Sequence, residues 1–371
     1  MTEILVLGGG RVGSAIAYDL SKDYSVTVAD INQETLTVLA EKYKQKTIYA
    51  DFSNLIDLKK ILKEYDLIIS AVPGFIGFKV LKTIIESKKN VVDISFFPEN
   101  ALDLHDLAEK NNVTALVDFG VAPGLGNILF GHYDTLMNID KYTCYVGGLP
   151  KIKEKPFEYK APFSPIDVIE EYTRPARLFQ NGNIIVKEPL TEIELIKFNT
   201  CEDLEAFNTD GLRSLLYTMS HVPYMKEKTL RYPGHAKKIQ FLKDGGFFSY
   251  NEKTINGVNY RPLEITADIL KENWFLKENE EEFTVMRIIL ENKNQNITID
   301  LYDEYDKHTN ITSMARTTGY TCTAGANLLT NNLFKNKGIF PPELIGKDRK
   351  CYDFIMKHLN QRNIHLNTNK N

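Results

Sequence analysis

The chain predicts an α/β fold: a doubly wound parallel sheet, followed by a second α+β domain carrying a mixed or largely antiparallel sheet. Three observations predict it. Strand and helix periodicities alternate from Ile4 to Val117, as parallel strands with helical crossovers require. A glycine-rich turn (Gly8, Gly10, Gly13) joins the first strand to the first helix. After Val117 the alternation stops, and longer strand-like segments mix with helices.

Ile4 to Leu7 reads as a buried strand, Val12 to Ser21 as a helix and Ser25 to Ala29 as a second strand closed by Asp30. This order is that of a dinucleotide-binding βαβ unit. Gly8 makes the tight turn, Gly10 lets the backbone approach a pyrophosphate, and Gly13 lets helix and strand pack closely. Arg11 and Val12 open the helix, whose free amides and dipole suit an anion. Asp30 stands where an acid accepts hydrogen bonds from ribose hydroxyls. The next residues, Ile31 and Asn32, carry no positive charge for a 2′-phosphate. That choice favours NAD over NADP.

The alternation continues. Gln33–Lys44, Leu55–Tyr65, Gly77–Ser87 and Ala101–Asn111 carry apolar residues at helical spacing. Thr47–Tyr49, Leu67–Ala71, Asn90–Asp93 and Thr114–Val117 are short apolar strands. The Leu67 strand is apolar throughout, which marks a parallel strand covered on both faces. Ligands of such sheets bind beyond the carboxyl ends of the strands, so the residues there are candidates. Asp51 and Phe52 offer an acceptor and a ring for adenine, although Asp51 also suits a helix-start position beside Ser53 and Asn54. Ala71, Val72 and Pro73 end the central strand. Asp93 and Asp118 end strands near the nicotinamide position, either to hold a substrate ammonium or act as base, or to bond loop amides.

Past Gly124, Leu125–Leu136 reads as a helix and Tyr142–Val146 as a strand that turns at Gly147-Gly148. Lys151–Pro165 reads as a surface excursion and Lys277–Glu282 as a solvated acidic loop. Strands are expected at Asn183–Val186 and Glu194–Phe198, and helices at Leu212–Ser220, His235–Asp244 and Leu263–Glu272. Phe283–Glu291 and Asn296–Tyr305 alternate as a hairpin. Met314–Thr330 is a helix of small residues, Cys351–Asn360 a last helix, and the tail beyond Gln361 is expected to be loose.

Bulk properties narrow the function classes. A net charge of −4 with no basic stripe gives no sign of a nucleic-acid partner. No apolar run approaches a membrane span, and the charged start is not a secretory leader. Four scattered cysteines suggest no metal site and a reduced, cytoplasmic setting.

Three later segments are more polar and glycine-rich than plain structure needs: Tyr145–Pro150, Glu205–Gly211 (with Thr209) and Thr229–His235. In the last, Arg231 could clamp a carboxylate bidentately or make a structural ion pair. His235 could shuttle a proton or simply start a helix.

GVAPGLGNI (Gly120–Ile128), YVGGLP (Tyr145–Pro150), EAFNTDG (Glu205–Gly211) and KTLRYPGH (Lys228–His235), with the Rossmann opening, together resemble the saccharopine dehydrogenase family. Pro156–Gly182 and Ile339–Ile345 are most similar to its L-lysine 6-dehydrogenase branch. Ala122 and Val146 stand where the saccharopine-forming branch typically has Asp and Cys. The resemblance implies an NAD(P)-binding domain over 1–122, a substrate-binding and dimerisation domain over 123–312, and C-terminal helices over 313–371 returning to the first. It implies hydride transfer from the ε-carbon of lysine to NAD, giving a semialdehyde, in a homodimer or higher homo-oligomer. Asp93, Asp118 and His235 are then the catalytic candidates. Arg231 would anchor the α-carboxylate, with Thr209 nearby and Gly147-Gly148 as a close backbone wall. A saccharopine or carboxynorspermidine-type reductase, and a non-catalytic NAD-binding protein, are the alternatives.

Overall fold

A computed structural model describes residues 1–161, 165–277 and 279–370. Residues 162–164 of the expected surface excursion and residue 278 of the acidic loop lie outside these. The protein forms two compact units. The first comprises Met1–Ile139, Arg213–Met219 and Met314–His365, and the second Asp140–Leu212, Ser220–Ser313 and the residues from Leu366 onward.

The first unit is built on β1 (Glu3–Leu7), β2 (Ser25–Asp30), β3 (Lys46–Tyr49), β4 (Leu67–Ser70), β5 (Asn90–Asp93) and β6 (Thr114–Leu116). All pair in parallel in the order β6-β5-β4-β1-β2-β3, and Gly338–Phe340 adds a seventh parallel strand beside β6. The crossovers are α1 (Arg11–Leu20), α2 (Gln33–Tyr43), α3 (Leu55–Ile61), α4 (Gly74–Glu86) and α5 (His105–Lys110), and α6 (Leu125–Asp134) follows the sixth strand. The fully apolar strand expected at residue 67 is β4, and Leu67, Ile68 and Ile69 are buried. Covering a parallel sheet on both faces leaves no polar side for alternation to show.

The C-terminal helices complete this unit. Gly319, in Ser313–Thr330, lies so close to α1 that a Cβ would meet Ile16 at 3.3 Å. Beside it Asp19 is buried, and its carboxylate accepts from Arg362 Nε at 2.7 Å and Thr323 Oγ1 at 2.7 Å. Burial opposes its ionisation, but these partners hold the carboxyl below its usual range. The division expected at residue 122 comes too early. α6 crosses Pro342–Lys347 at backbone contact, so a Cβ on Gly131 would stand 2.0 Å from the Glu343 carbonyl oxygen.

The second unit holds one mixed sheet. Its main strands are β7 (Lys141–Pro150), β8 (Ala176–Gln180), β9 (Asn183–Lys187), β10 (Glu194–Ile196), β11 (Leu204–Asn208) and β12 (Tyr224–Arg231). A small hairpin, β13 (Lys253–Ile255) with β14 (Val258–Tyr260), stands apart from it, and β15 (Glu282–Glu291) with β16 (Asn296–Glu304) forms the expected long hairpin. The order is β10-β11-β12-β7-β15-β16, with Leu366–Lys370 beside β16 and β8–β9 attached to β12. Among the described strands of this sheet, β7 and β12 are the pair that runs in parallel.

Three expectations are corrected here. Gly147 and Gly148 are not a turn: β7 runs through both, paired with Val285 and Thr284 of β15. Gly147 is needed because a Cβ would come within 2.5 Å of the Leu230 carbonyl oxygen. The tail is not loose beyond Gln361; Leu366–Lys370 pairs with β16 through backbone bonds that its polar sequence does not advertise. The helix expected at 212–220 contracts to Leu215–Thr218, because the residues before it serve other ends, described below.

The α6 crossing makes a direct test. Gly131→Ala should cost about 2 kcal/mol or more in urea unfolding, since the opposing atom is a backbone carbonyl oxygen and cannot swing aside.

Candidate dinucleotide site and its acid pair

The glycine turn has the geometry its three roles demand. Gly8 has φ +99°, and a Cβ there would lie 2.4 Å from the Ala71 carbonyl oxygen. A Cβ on Gly13 would stand 2.0 Å from the Gly8 carbonyl oxygen. Gly10, the residue before α1, is exposed and faces open space within 4 Å of where its Cβ would be. So two glycines are required by the protein's own packing, and the third leaves the helix start uncovered. That combination fits a dinucleotide pyrophosphate. Arg11 and Val12 are half-buried at the first turn of α1. Asp30 ends β2, and its carboxylate accepts from the amides of Gly9 at 2.6 Å and Asn32 at 2.8 Å. The acid is thereby fixed at the rim of the turn.

Farther along the strand ends, Asp51 is exposed and its carboxylate accepts from the Ser53 amide at 2.8 Å. These Ser53 bonds hold its carboxyl below the usual range. The α3 cap is Asn54 rather than Asp51. Phe52 departs from expectation: it is 7% exposed and packed in the sheet core, so it has little face left for a ring. Ala71 and Val72 lie beneath the glycine turn, and Pro73 precedes α4.

Asp93 and Asp118 come together with two hydroxyls and a cation. Asp93 ends β5 opposite Ser70 and has no exposed surface. Its carboxylate accepts from the Ser95 amide at 2.9 Å, and the Ser95 hydroxyl stands 3.4 Å away. Burial, reinforced by the neighbouring Asp118 charge, outweighs these bonds and the attraction of Arg213 and pushes the carboxyl up to about 7. Asp118, at φ +57°, accepts from Arg213 Nε at 2.8 Å. Both side chains are 5% exposed. Arg213 Nη1 also donates to the Phe97 carbonyl at 2.5 Å, and its guanidinium lies over Phe96 and Phe97, 4.8 and 5.3 Å from the ring centres. Nothing in the sequence marks Arg213. A single arginine after Gly211-Leu212 carries no periodic or motif signal, and its pairing with Asp118 spans 95 positions.

The second-unit candidates take structural duties. Arg231 is buried, and the carboxylate it clamps is that of Glu171, at 2.8 Å from Nη2. Its Nε donates to Tyr172, its Nη1 to the Leu230 carbonyl and its Nη2 also to Tyr159, whose ring centre lies 4.4 Å away. The anchor role for a substrate carboxylate is therefore withdrawn. His235 begins the helix His235–Asp244 and is 1% exposed. Its Nδ1 sits 3.0 Å from the Phe157 carbonyl and its Nε2 3.0 Å from the Tyr172 hydroxyl. Burial and the Arg231 charge lower it to about 3, so the ring is neutral and both nitrogens are engaged. That excludes a proton shuttle in this arrangement.

The polarity of Glu205–Gly211 has the same kind of explanation. Glu205 accepts from the Gly234 and Ala236 amides and so caps the helix at His235. Thr209 meets Thr229 hydroxyl to hydroxyl at 3.0 Å. Asp210 takes Arg177 bidentately, at 2.9 and 2.8 Å. Among the described residues no group of three or more His, Cys, Asp or Glu could hold a metal, and no helix is long and apolar enough to cross a membrane.

A parallel sheet with an open glycine turn and an acid ending β2 defines the class: a dinucleotide-binding α/β fold. Residues 4–116 match the saccharopine dehydrogenase NADP binding domain, and residues 120–364 the saccharopine dehydrogenase C-terminal domain. The chain belongs to the saccharopine dehydrogenase family. It is 26% identical over 260 residues to the mitochondrial alpha-aminoadipic semialdehyde synthase of Rattus norvegicus, covering 66% of this chain and 28% of that protein. It is also 26% identical over 295 residues to the Schizosaccharomyces pombe saccharopine dehydrogenase (NADP(+), L-glutamate-forming), covering 73% of this chain and 64% of that one. The chain thus spans between about a quarter and two thirds of the length of these relatives. The apo saccharopine dehydrogenase (L-Glu forming) of Saccharomyces cerevisiae shares the fold, with a TM-score of 0.79, 21% identity and full coverage of both proteins.

The raised acid gives a pH prediction. Below pH 4 Asp93 is protonated in both the folded and the unfolded protein. Between about 4 and 7 the unfolded form loses this proton while the folded one keeps it, so stability falls as pH rises, and above about 7 the cost is constant. Asp93→Asn should therefore stabilise the protein at pH 8 by roughly 2–4 kcal/mol in urea unfolding and by much less at pH 4.5.

Proposed function

We propose that this protein is a nicotinamide-dependent dehydrogenase that oxidises a carbon–nitrogen bond in the side chain of an amino acid, with L-lysine as substrate and NAD as the preferred dinucleotide. The acid pair at the ends of β5 and β6 carries the reading. It supplies buried carboxyl groups on the side of the sheet where the nicotinamide of such folds is bound. When bound, the nicotinamide ring accepts a hydride.

The protein's own residues must hold an amine carbon against that ring and take one proton from nitrogen. A carbon–nitrogen double bond forms as hydride leaves carbon and the proton leaves nitrogen. Water then adds to the carbon, and ammonia departs to leave a semialdehyde. The amine must be neutral to release hydride readily, so a base of suitable strength is needed beside it. Asp93, raised to about 7, has that strength.

Two features support the finer choices. Asp30-Ile31-Asn32-Gln33 offers no cation to a 2′-phosphate, which supports NAD although the matched domain and the fungal relatives carry NADP in their names. Ala122 and Val146 depart from the saccharopine-forming pattern, which supports lysine. Saccharopine is the second substrate reading, favoured by the names of the relatives themselves. The same reading has the protein act as a homodimer, which light scattering would report.

The test is appearance of reduced cofactor with each of lysine and saccharopine, using NAD and NADP in turn. Lysine with NAD should give the fastest turnover; turnover with saccharopine and none with lysine would overturn the substrate choice. Asp30→Ala should weaken NAD by about tenfold, near 1.4 kcal/mol, and NADP by less. Native preference for NADP would reverse the reading of Asp30.

A further inference from the structure

The acid pair holds two carboxyl groups and one buried arginine, and the arginine treats them unequally. Arg213 belongs to a short segment, Arg213–Met219, that returns to the first unit between two stretches of the second. The residue is 6% exposed. It ties Asp118, just beyond β6, to the Phe97 carbonyl, just beyond β5, with its guanidinium over the rings of Phe96 and Phe97. The loop after β5 is also pressed from the other side. A Cβ on Gly74 would meet the Phe96 carbonyl oxygen at 2.3 Å, and one on Gly77 would meet Ser95 Cβ and Phe97 Cδ1 at 2.8 Å each. The loop after β5 is therefore held against both α4 and Arg213. Asp93 keeps a different set of partners: the Ser95 amide and hydroxyl, and the Ser70 hydroxyl, which stands 3.4 Å from that of Ser95. Among the described residues, Cys322, from the helix Ser313–Thr330, also feels its charge, as do Asp118 and Arg213.

We propose that Arg213 is a positioning residue that divides the two carboxyl groups: it commits Asp118 to an ion pair bracing the β5 and β6 loops, and it leaves Asp93 to receive the proton in amine oxidation. The transfer is a relay. An amine proton passes to the Ser95 hydroxyl, which keeps 3% exposure, and the hydroxyl gives its own proton to the fully buried Asp93 carboxylate. No electrons move in this step; the bond broken is N–H and the bond formed is O–H on Asp93. Without Arg213, Asp118 would be an uncompensated negative charge beside Asp93, and Asp93 would hold its proton more tightly. The relay rests on the dehydrogenase reading above, but the division of the acids does not.

The experiment follows Asp93 directly. The full-length protein is labelled at aspartate Cγ, and NMR titrations are recorded for the native protein, Arg213→Met, Arg213→Lys and the double variant Arg213→Met with Asp118→Asn. Asp93→Asn identifies the signal. The native midpoint is expected near 7, Arg213→Met should move it alkaline by about one unit or more, and Arg213→Lys should restore most of the shift. The double variant should return it toward the native midpoint, because both charges are then gone. Binding of reduced cofactor, followed by its fluorescence, should change less than threefold. In turnover, the acid limb of kcat should move alkaline with the NMR midpoint.

An Asp93 midpoint unmoved in a folded Arg213→Met would overturn the proposal, as would failure of the double variant to restore it. Should Arg213→Met not fold, Asp118→Asn alone should move the midpoint acid, because Arg213 then attracts Asp93 with no competing carboxylate, and an unmoved midpoint there would overturn it. If the midpoint moves as expected but no amine is oxidised by any form, the division of the acids stands and the dehydrogenase reading falls.

Discussion

The contact between Gly13 and the Gly8 carbonyl sets the first unit. With only 2.0 Å available to a Cβ, the start of α1 can lie directly against the end of β1. That closeness points the first-turn amides of α1 over the carboxyl edge of the sheet. It also leaves Gly10 at the surface and brings Asp30 within bonding distance of the Gly9 amide. Every other candidate of this unit is placed relative to that corner, because strands pairing in parallel with β1 end along the same edge. Asp51, Ala71, Asp93 and Asp118 share an edge for this reason, although they are far apart in the sequence.

Buried charge is the second organising constraint. A buried ion is tolerated only when a partner and hydrogen bonds replace its water. Examples are Asp19 with Arg362 and Thr323, Asp118 with Arg213, Asp210 with Arg177, and Glu171 with Arg231. They brace segments distant in sequence. They also absorb side chains that look functional when read one at a time. Arg231 has the burial and fork geometry of a carboxylate anchor, and the carboxylate it holds is the protein's own. Like Glu343, which accepts from the Thr218 hydroxyl and the Asn127 side-chain amide, Asp93 is held differently. It is buried with hydroxyl and amide partners, and its ion pair with the nearest cation is taken by Asp118.

Local pattern was sufficient where local physics decides. Short apolar runs and helical spacing alternated clearly from Ile4 to Val117, and the glycine spacing located the turn, because steric limits at Gly8 and Gly13 act within a few residues. The β15–β16 hairpin was equally readable from alternation. The strands β8 and β11 were not. β11 is buried at every position yet contains Glu205, whose carboxylate accepts from the Gly234 and Ala236 amides, and Asn208, whose amide nitrogen donates to Thr191 and Glu192. A strand with that composition reads as a loop until its partners are known.

Residue order alone was enough to establish that a nucleotide-binding parallel sheet opens the protein, that an acid ends its second strand, and that a mixed-sheet unit follows. Those outcomes depend on backbone sterics and on apolar spacing over one or two turns. Which charged residues are spent on the protein's own stability emerged only once the units were folded. Arg231 and His235 are consumed by contacts with Glu171, Tyr172 and Phe157, while Arg213 is drawn from an unmarked position to Asp118. Charge pairing in a buried setting depends on which groups the fold brings within about 3–4 Å, and that distance is set by packing across the whole unit.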